Sequence, residues 1–335
     1  MPGSRTVRVV EAVRETADAV SLVLDAGGAE LPYRPGQFLT VRIPGRGARC
    51  YSLASSPHTG EPPRITVKRV PGGVGSGWMC DEVAVGDELE VLPPAGTFGP
   101  ADLDRDLLLV AGGSGITPVV SVAKSALAAG RARVALVYAN RDEPAVIFRD
   151  ELRELAEDYP NRFTLIHWLE SLQGLPTADA LTATVAPYAA RDTYLCGPGP
   201  LMDAAEAAVR ATGGRTVRRE RYFSLADDVF DRPAAADTPS EDAPAYTARV
   251  VLDGDVHAIP GGRDVPLLDA LLKAGVDAPY SCREGACAAC TCRIVAGEVK
   301  LLRNEVLTDA DLADGYTLAC QAVPLSDHVE VTYDE

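Results

Sequence analysis

The sequence predicts a multidomain chain: an antiparallel β-barrel, an open parallel α/β sheet and a small α+β domain, in that order. Three observations predict it. Residues 5–100 read as short strands separated by Gly/Pro turns. Residues 107–225 alternate strand and helix. A Pro- and Ala-rich acidic stretch then leads into a last segment that holds a cluster of cysteines.

The first segment contains "TVRVVEAV", "AVSLVLDA", "QFLTVRIP", "RCYSLAS", "RITVKRV" and "ELEVLPP". Turn signals at this density suit an antiparallel barrel, expected over residues 1–100. In the second, expected over 101–225, "LLLVAG", "RVALVYAN", "FTLIHWL" and "TYLCG" are strands. Helices are expected from about Pro118, through "IFRDELRELAEDY" and through "LMDAAEAAVRAT". The stretch "ADDVFDRPAAADTPSEDAPA", 226–245, reads as an extended linker. In the last domain, 246–335, "TARVVLDGDVHAI" is a hairpin with an Asp-Gly turn. There "PLLDALLKAG" is a helix stopped by Gly275, and "TCRIVAG" and "HVEVTY" are strands.

The net charge of −16 is concentrated late. Residues 246–335 hold seven Lys/Arg against fifteen Asp/Glu, whereas residues 1–100 hold ten against eleven. That disfavours nucleic acid, whose phosphates need a basic face, and suits docking of the last domain on a basic protein patch as well as ordinary solubilisation. No apolar run reaches the length of a membrane span, and "MPGSRTVRVV" lacks a signal core, so a cytoplasmic protein is expected. Clustered cysteines there bind metal or carry redox chemistry more often than they form disulfides.

Four of the eight cysteines lie in "SCREGACAACTC". Cys282, Cys287 and Cys290 give C-x4-C-x2-C, and Cys320 follows in "YTLACQA". This is plant-type [2Fe–2S] spacing, in which four thiolates hold two irons. Structural zinc prefers two close-spaced pairs, and here one ligand is remote. Gly285, Ala286, Ala288 and Ala289 are small enough for the backbone to wrap a cluster and aim N–H groups at sulfur. Cys292 falls outside the spacing and reads as a packed core residue.

"RCYSLAS" puts Arg49 and Tyr51 on one face of a strand end, with Ser52 beside them. A ring there can stack on a flat cofactor, and a guanidinium can clamp phosphate. Lys68 ends the next strand, and "GGVGSGW" offers backbone amides for a pyrophosphate ahead of a possible helix. In "LLLVAGGSGITPVVS", Gly112, Gly113 and Gly115 allow close approach of a dinucleotide, and Thr117 and Pro118 begin a helix. "YLCGPGPLM" repeats that plan, with Cys196 at a strand's carboxyl end, where its thiol can pack on a nicotinamide ring. Asn140 and Arg141 in "YANRDE" can meet an adenosine ribose.

Taken in this order, these motifs resemble the ferredoxin–NADP reductase superfamily joined to a C-terminal plant-type ferredoxin, over essentially the whole chain. "HWLESLQGLP", "YANRDEPAVIF", "CGPGP" and "VEVTYDE" are most similar to the reductase components of 3-ketosteroid 9α-hydroxylases, with phenylacetyl-CoA epoxidase reductases close by. The resemblance implies a β-grasp fold for the last domain. It implies that Arg49, Tyr51, Ser52 and Leu53 bind FAD, with Val67 and Lys68 lining it and Gly75, Ser76 and Gly77 on its pyrophosphate. It further implies that Thr117 reaches the flavin from the nicotinamide side and that Gly113, Gly115, Cys196, Gly197 and Pro198 place the nicotinamide. Glu220 and Phe223 match the segment that ends this domain near the flavin.

The expected activity is electron transfer from NADH through FAD and [2Fe–2S] to a partner oxygenase, of Rieske type on the resemblance, by a monomeric reductase. NADPH stays open, although Asp142 and Glu143 beside Arg141 disfavour a 2′-phosphate. Service to an epoxidase, another mono- or dioxygenase or a P450 is the alternative. A redox-sensing binding protein is a further one.

Overall fold

The computed structural model describes residues 4–28, 31–214, 217–222, 229–230, 245–262 and 264–334. The first sheet is wholly antiparallel. Its strands are β1 (Arg5–Thr16), β2 (Ala19–Asp25), β3 (Phe38–Arg42), β4 (Ala48–Ser52), β5 (Arg64–Lys68) and, after helix α1 (Val74–Asp81), β6 (Glu88–Val91). The order β4-β3-β6-β1-β2-β5 leaves β4 and β5 at the edges. A bridge between Leu53 and Ile65, both fully buried, joins those edges and closes the barrel. Val7, Val9, Leu22, Leu39 and Val41 fill the interior, as period-two alternation requires.

The second sheet is wholly parallel and runs β11-β10-β7-β8-β9. Its strands are β7 (Leu107–Gly112), β8 (Val134–Asn140), β9 (Phe163–Leu169), β10 (Asp192–Cys196) and β11 (Val217–Glu220). Helices α2 (Ile116–Ala128), α3 (Arg149–Asp158), α4 (Glu170–Gln173), α5 (Ala178–Val185) and α6 (Gly199–Ala211) connect them. Separate apolar clusters line the two faces, which is why β7 and β8 are buried along their whole length. The chain steps outward from β7 to β9 and then returns to β10 on the other side. The switch point therefore lies between the carboxyl ends of β7 and β10, where ligands bind in such sheets.

Buried polar contacts tie this domain to the barrel. The Lys124 ammonium, 8% exposed, donates to Glu61 and Glu151 at 2.6 and 2.7 Å, and Arg64 donates to the same Glu151 at 2.7 Å. The Ser121 hydroxyl donates to the Ser55 carbonyl at 2.6 Å.

The last domain has strands β12 (Ala245–Leu252), β13 (Asp255–Gly262), β14 (Thr291–Ala296), β15 (Val299–Leu301), β16 (Tyr316–Leu318), β17 (Ala322–Pro324) and β18 (His328–Thr332), with helices α7 (Leu267–Lys273) and α8 (Asp309–Ala313). The main sheet runs β13-β12-β18-β14-β16, with β12 and β18 parallel; β15 and β17 form a separate pair. Asp253 and Gly254 both take positive φ, 53° and 81°, as an Asp-Gly hairpin turn of the primed type needs.

Most of the expected linker lies outside the described residues. Its described part departs from the extended reading. Ala245 already belongs to β12, and Val229 and Phe230, each 2% exposed, pack against both the barrel and the cysteine loop. An apolar pair too short to show periodicity is still enough to anchor a chain.

Candidate flavin, nicotinamide and iron–sulfur sites

One cavity of about 370 Å³ opens where the barrel meets the switch point. Arg49, Tyr51, Ser52, Val67, Lys68, Gly75, Ser76 and Thr117 line it, as do Cys50, Ser114 and Tyr222. β4 and β5 supply the first five because the barrel closes there. Helix α1 supplies the next two. It starts at Val74, so Gly75, Ser76 and Gly77 lie in its first turn and not in a loop before it. Gly73 precedes it with no side-chain cap, which leaves first-turn N–H groups for an anion. A Cβ on Gly75 would meet the Arg49 side chain at 2.8 Å, so glycine lets α1 sit against the guanidinium stem. Ser76 is engaged locally, its hydroxyl accepting from the Val70 N–H at 3.0 Å.

Two expected contacts fall elsewhere. Leu53 is fully buried in the barrel core and makes the closing bridge, so its side chain packs and does not line the cavity. Gly77 is not among the lining residues; the helical repeat turns it away, toward Arg69.

The two Gly-rich turns pack on each other. Helix α2 begins at Ile116 after a 3₁₀ turn at Gly113–Gly115, so Thr117 and Pro118 lie inside its first turn and do not open it. A Cβ on Gly115 would stand 2.1 Å from the Cys196 carbonyl oxygen, and one on Gly197 2.9 Å from the Gly112 nitrogen. These glycines first satisfy protein–protein approach. Pro198 caps α6 immediately beyond. The Thr117 hydroxyl faces the cavity and bonds the Tyr222 hydroxyl at 2.8 Å.

Cys196 is 1% exposed. Burial pushes its thiol well up, with Glu220 adding to the shift, so it is a neutral packing group and not a thiolate nucleophile. Glu220 sits opposite Cys196 in the parallel register, and burial pushes its carboxyl up to about 7, with the Arg221 backbone pulling the other way. Asn140 is buried at the end of β8. Arg141 is 75% exposed and donates to Asp142 at 3.0 Å. Neither belongs to the cavity lining. Phe223 lies outside the described residues. Tyr222 is the aromatic that sequence reasoning missed; its only sequence signal is that it follows the last strand of the parallel sheet.

The cysteine loop wraps inward. Cys282, Cys287, Cys290 and Cys320 are each 7% exposed or less. Backbone N–H groups of Glu284 and Ala286 donate to Cys282 Sγ at 3.3 and 3.4 Å, that of Ala289 to Cys287 at 3.4 Å and that of Cys320 to Cys290 at 3.5 Å. The thiols pair as Cys282 with Cys287 and Cys290 with Cys320. Within each pair one thiol donates to the other, which pulls Cys282 and Cys320 down and pushes Cys287 and Cys290 up. Two thiol pairs under a canopy of N–H donors fit two irons and their negative cluster. Gly285 takes φ +73°, and a Cβ there would stand 2.7 Å from the Arg303 carbonyl oxygen. Cys292, outside the pairs, is 2% exposed in the core of this domain.

A barrel whose cavity suits a flavin, a switch point suited to a dinucleotide and a two-iron cysteine loop together define a redox protein of three centres. Similarity to known proteins agrees domain by domain. Residues 5–99 match the oxidoreductase FAD-binding domain, 109–207 the oxidoreductase NAD-binding domain and 250–325 the 2Fe-2S iron-sulfur cluster binding domain. The chain is 50% identical to the 3-ketosteroid-9-alpha-monooxygenase ferredoxin reductase component of Rhodococcus rhodochrous, over 99% of this chain and 98% of that one. It is 33% identical to one of the subunits of 1,2-phenylacetyl-CoA epoxidase from Escherichia coli K12, over 99% and 97%. The solved structure of phthalate dioxygenase reductase superposes with a TM-score of 0.59 at 27% identity, covering 98% of each chain. The chain belongs to the family of FAD- and NAD-dependent reductases carrying a C-terminal [2Fe–2S] ferredoxin domain, and it is an oxidoreductase. No helix among the described residues is long and apolar enough to cross a membrane.

Proposed function

We propose that this chain is the NADH-dependent reductase of a 3-ketosteroid 9α-hydroxylase and delivers electrons to a Rieske-type oxygenase as a monomer in the cytoplasm. Bound FAD would supply hydride acceptance from NADH and release of single electrons, and a bound [2Fe–2S] cluster would supply one-electron storage. The protein's own part is geometric. Arg49 and the first turn of α1, with Gly75 and Ser76, would hold the pyrophosphate, while Tyr51, Ser52, Val67 and Lys68 would surround the ring system. Thr117 fixes the Tyr222 hydroxyl on the side from which the nicotinamide would approach, and the Gly113–Gly115 and Cys196–Pro198 turns would form its floor. Cys282, Cys287, Cys290 and Cys320 supply the thiolates.

The observation that carries the reading is the position of Cys50. It lines the cavity on one side and packs on the other against the apolar cluster that includes Cys282 and Cys287. The flavin and iron sites are thereby neighbours, as a reductase that splits electron pairs requires. The preference for NADH rests on Arg141, whose guanidinium is occupied by Asp142. The steroid assignment rests on 50% identity to a steroid-system reductase against 33% to the epoxidase relative.

The test is reconstitution. The purified protein should contain FAD and two irons per chain, use NADH with higher kcat/KM than NADPH, and support 9α-hydroxylation by a 3-ketosteroid oxygenase. Failure to sustain steroid turnover while rapidly reducing cytochrome c would refute the partner and keep the reductase chemistry.

A further inference from the structure

Strand alternation on β3 sends Leu39 and Val41 into the barrel and Phe38, Thr40 and Arg42 outward. An outward threonine normally meets water, yet Thr40 is 1% exposed. What covers it is the cysteine loop. The hydroxyls of Thr40 and Ser281 hydrogen-bond at 2.6 Å, 241 residues apart in sequence, and Ser281, also 1% exposed, immediately precedes Cys282. Cys50, the cross-strand partner of Thr40, holds its Sγ 3.5 Å from the same threonine oxygen. Around this polar contact lie Phe38, Leu92, Val229, Phe230, Cys282 and Cys287. The Arg42 guanidinium sits over the Phe230 ring, 5.7 Å from its centroid.

Apolar packing alone would let the loop slide. A pair of buried hydroxyls does not, because each left unmatched keeps its desolvation penalty without its bond. The pair therefore sets the register between the cavity wall and the loop. Cys282 and Cys287 pack against the barrel side, whereas Cys290 and Cys320 belong to the core of their own domain.

We propose that Thr40 is a positioning residue for electron delivery: its bond to Ser281, flanked by Cys50, latches the Cys282–Cys287 side of the cysteine loop onto the flavin cavity. The inference rests on the proposed reductase reading and adds to it the contact that fixes the spacing of the two sites. Thr40 does not line the flavin cavity and is not one of the four candidate cluster ligands. The step it serves moves one electron onto a ferric iron at the thiolates, with NADH as the ultimate reductant and no bond made or broken at the latch.

The test uses the full-length holoenzyme and Thr40→Val, which keeps the shape and deletes the hydroxyl. Stopped-flow flavin reduction by NADH should stay unchanged while the following cluster reduction slows; losing one buried hydrogen bond shifts the latch about tenfold, and that factor is divided between the closed and open populations. Labelling of Cys50 by N-ethylmaleimide, mapped by peptide mass, should accelerate as the latch opens, the two fold-changes multiplying to about ten. The EPR spectrum and midpoint potential of the cluster should not move, and Thr40→Ser should restore both rates. Cluster reduction and Cys50 labelling at wild-type rates in Thr40→Val would overturn the latch. So would a shifted potential or spectrum, which would make Thr40 a tuner of the cluster. If Thr40→Val does not fold, Ser281→Ala reads the same contact from the other side. A wild-type protein whose flavin is reduced but never passes electrons to the cluster would overturn the reductase reading itself, and the latch with it.

Discussion

Replacing Gly115 by Ala sets two effects against each other, and the structure decides between them. Gly115 has φ −61° and ψ −9°, which any residue adopts, so there is no backbone strain to add. Chain entropy alone would favour Ala at this compatible φ/ψ by about 0.4–1 kcal/mol, less what the N-cap position, where Gly is preferred to Ala, takes back. Against this, the new Cβ would stand 2.1 Å from the Cys196 carbonyl oxygen and 2.5 Å from its carbon. Both are backbone atoms of a central strand and cannot rotate away, so β10 and α2 must separate. Overpacking costs about 1–3 kcal/mol, and a rigid backbone neighbour puts this site at the upper end. The net expectation is a loss of about 2 kcal/mol, a fall of roughly 8 °C in the melting of the central domain. Because the two turns that move also form the proposed nicotinamide floor, KM for NADH should rise while FAD content stays normal. Gly199→Ala, where a Cβ would meet nothing within 4 Å, is the matched control and should melt at or slightly above wild type. A Gly115→Ala protein with wild-type melting and KM would refute the claim that these turns need mutual glycine contact.

Three further outcomes are expected. Cys290→Ser should lose the visible iron–sulfur absorption, while Cys292→Ser should keep it at some cost in melting temperature, because only the former belongs to a thiol pair. Lys124→Ala should destabilise the barrel–sheet junction by about 3 kcal/mol in urea unfolding, the low end for a buried ion pair, since Glu61 and Glu151 keep 25% and 28% exposure and some hydration. Glu220 has a folded pKa raised from 4.5 to about 7, so the folded state binds the extra proton between those values. Stability should therefore fall as pH rises through that window, by at most about 3 kcal/mol, and Glu220→Gln should flatten the slope between pH 5 and 8.

The features legible without a structure were local or strongly periodic. The C-x4-C-x2-C spacing constrains a loop whose ligands lie a few residues apart, so the residue types nearly specify the chemistry. The Asp-Gly hairpin and the helix stop at Gly275 are likewise legible, because positive φ selects those residues at those positions. The alternating texture of 107–225 announced a parallel sheet, since only a crossover helix returns a strand in parallel.

Tertiary structure decided whatever joins distant segments. The parallel pairing of β12 with β18 spans nearly the whole last domain and has no local signal. Leu53 looks in sequence like part of a cofactor motif, but barrel closure takes its side chain into the core. Tyr222, Lys124 and the Val229–Phe230 pair sit in stretches that read as a tail, a helix and a linker; their partners lie on other elements, far off in the chain. Thr40 and Ser281 are ordinary in composition and pattern. They become a contact because alternation turns one outward, the cysteine loop brings the other over it, and two buried hydroxyls are stable there only together.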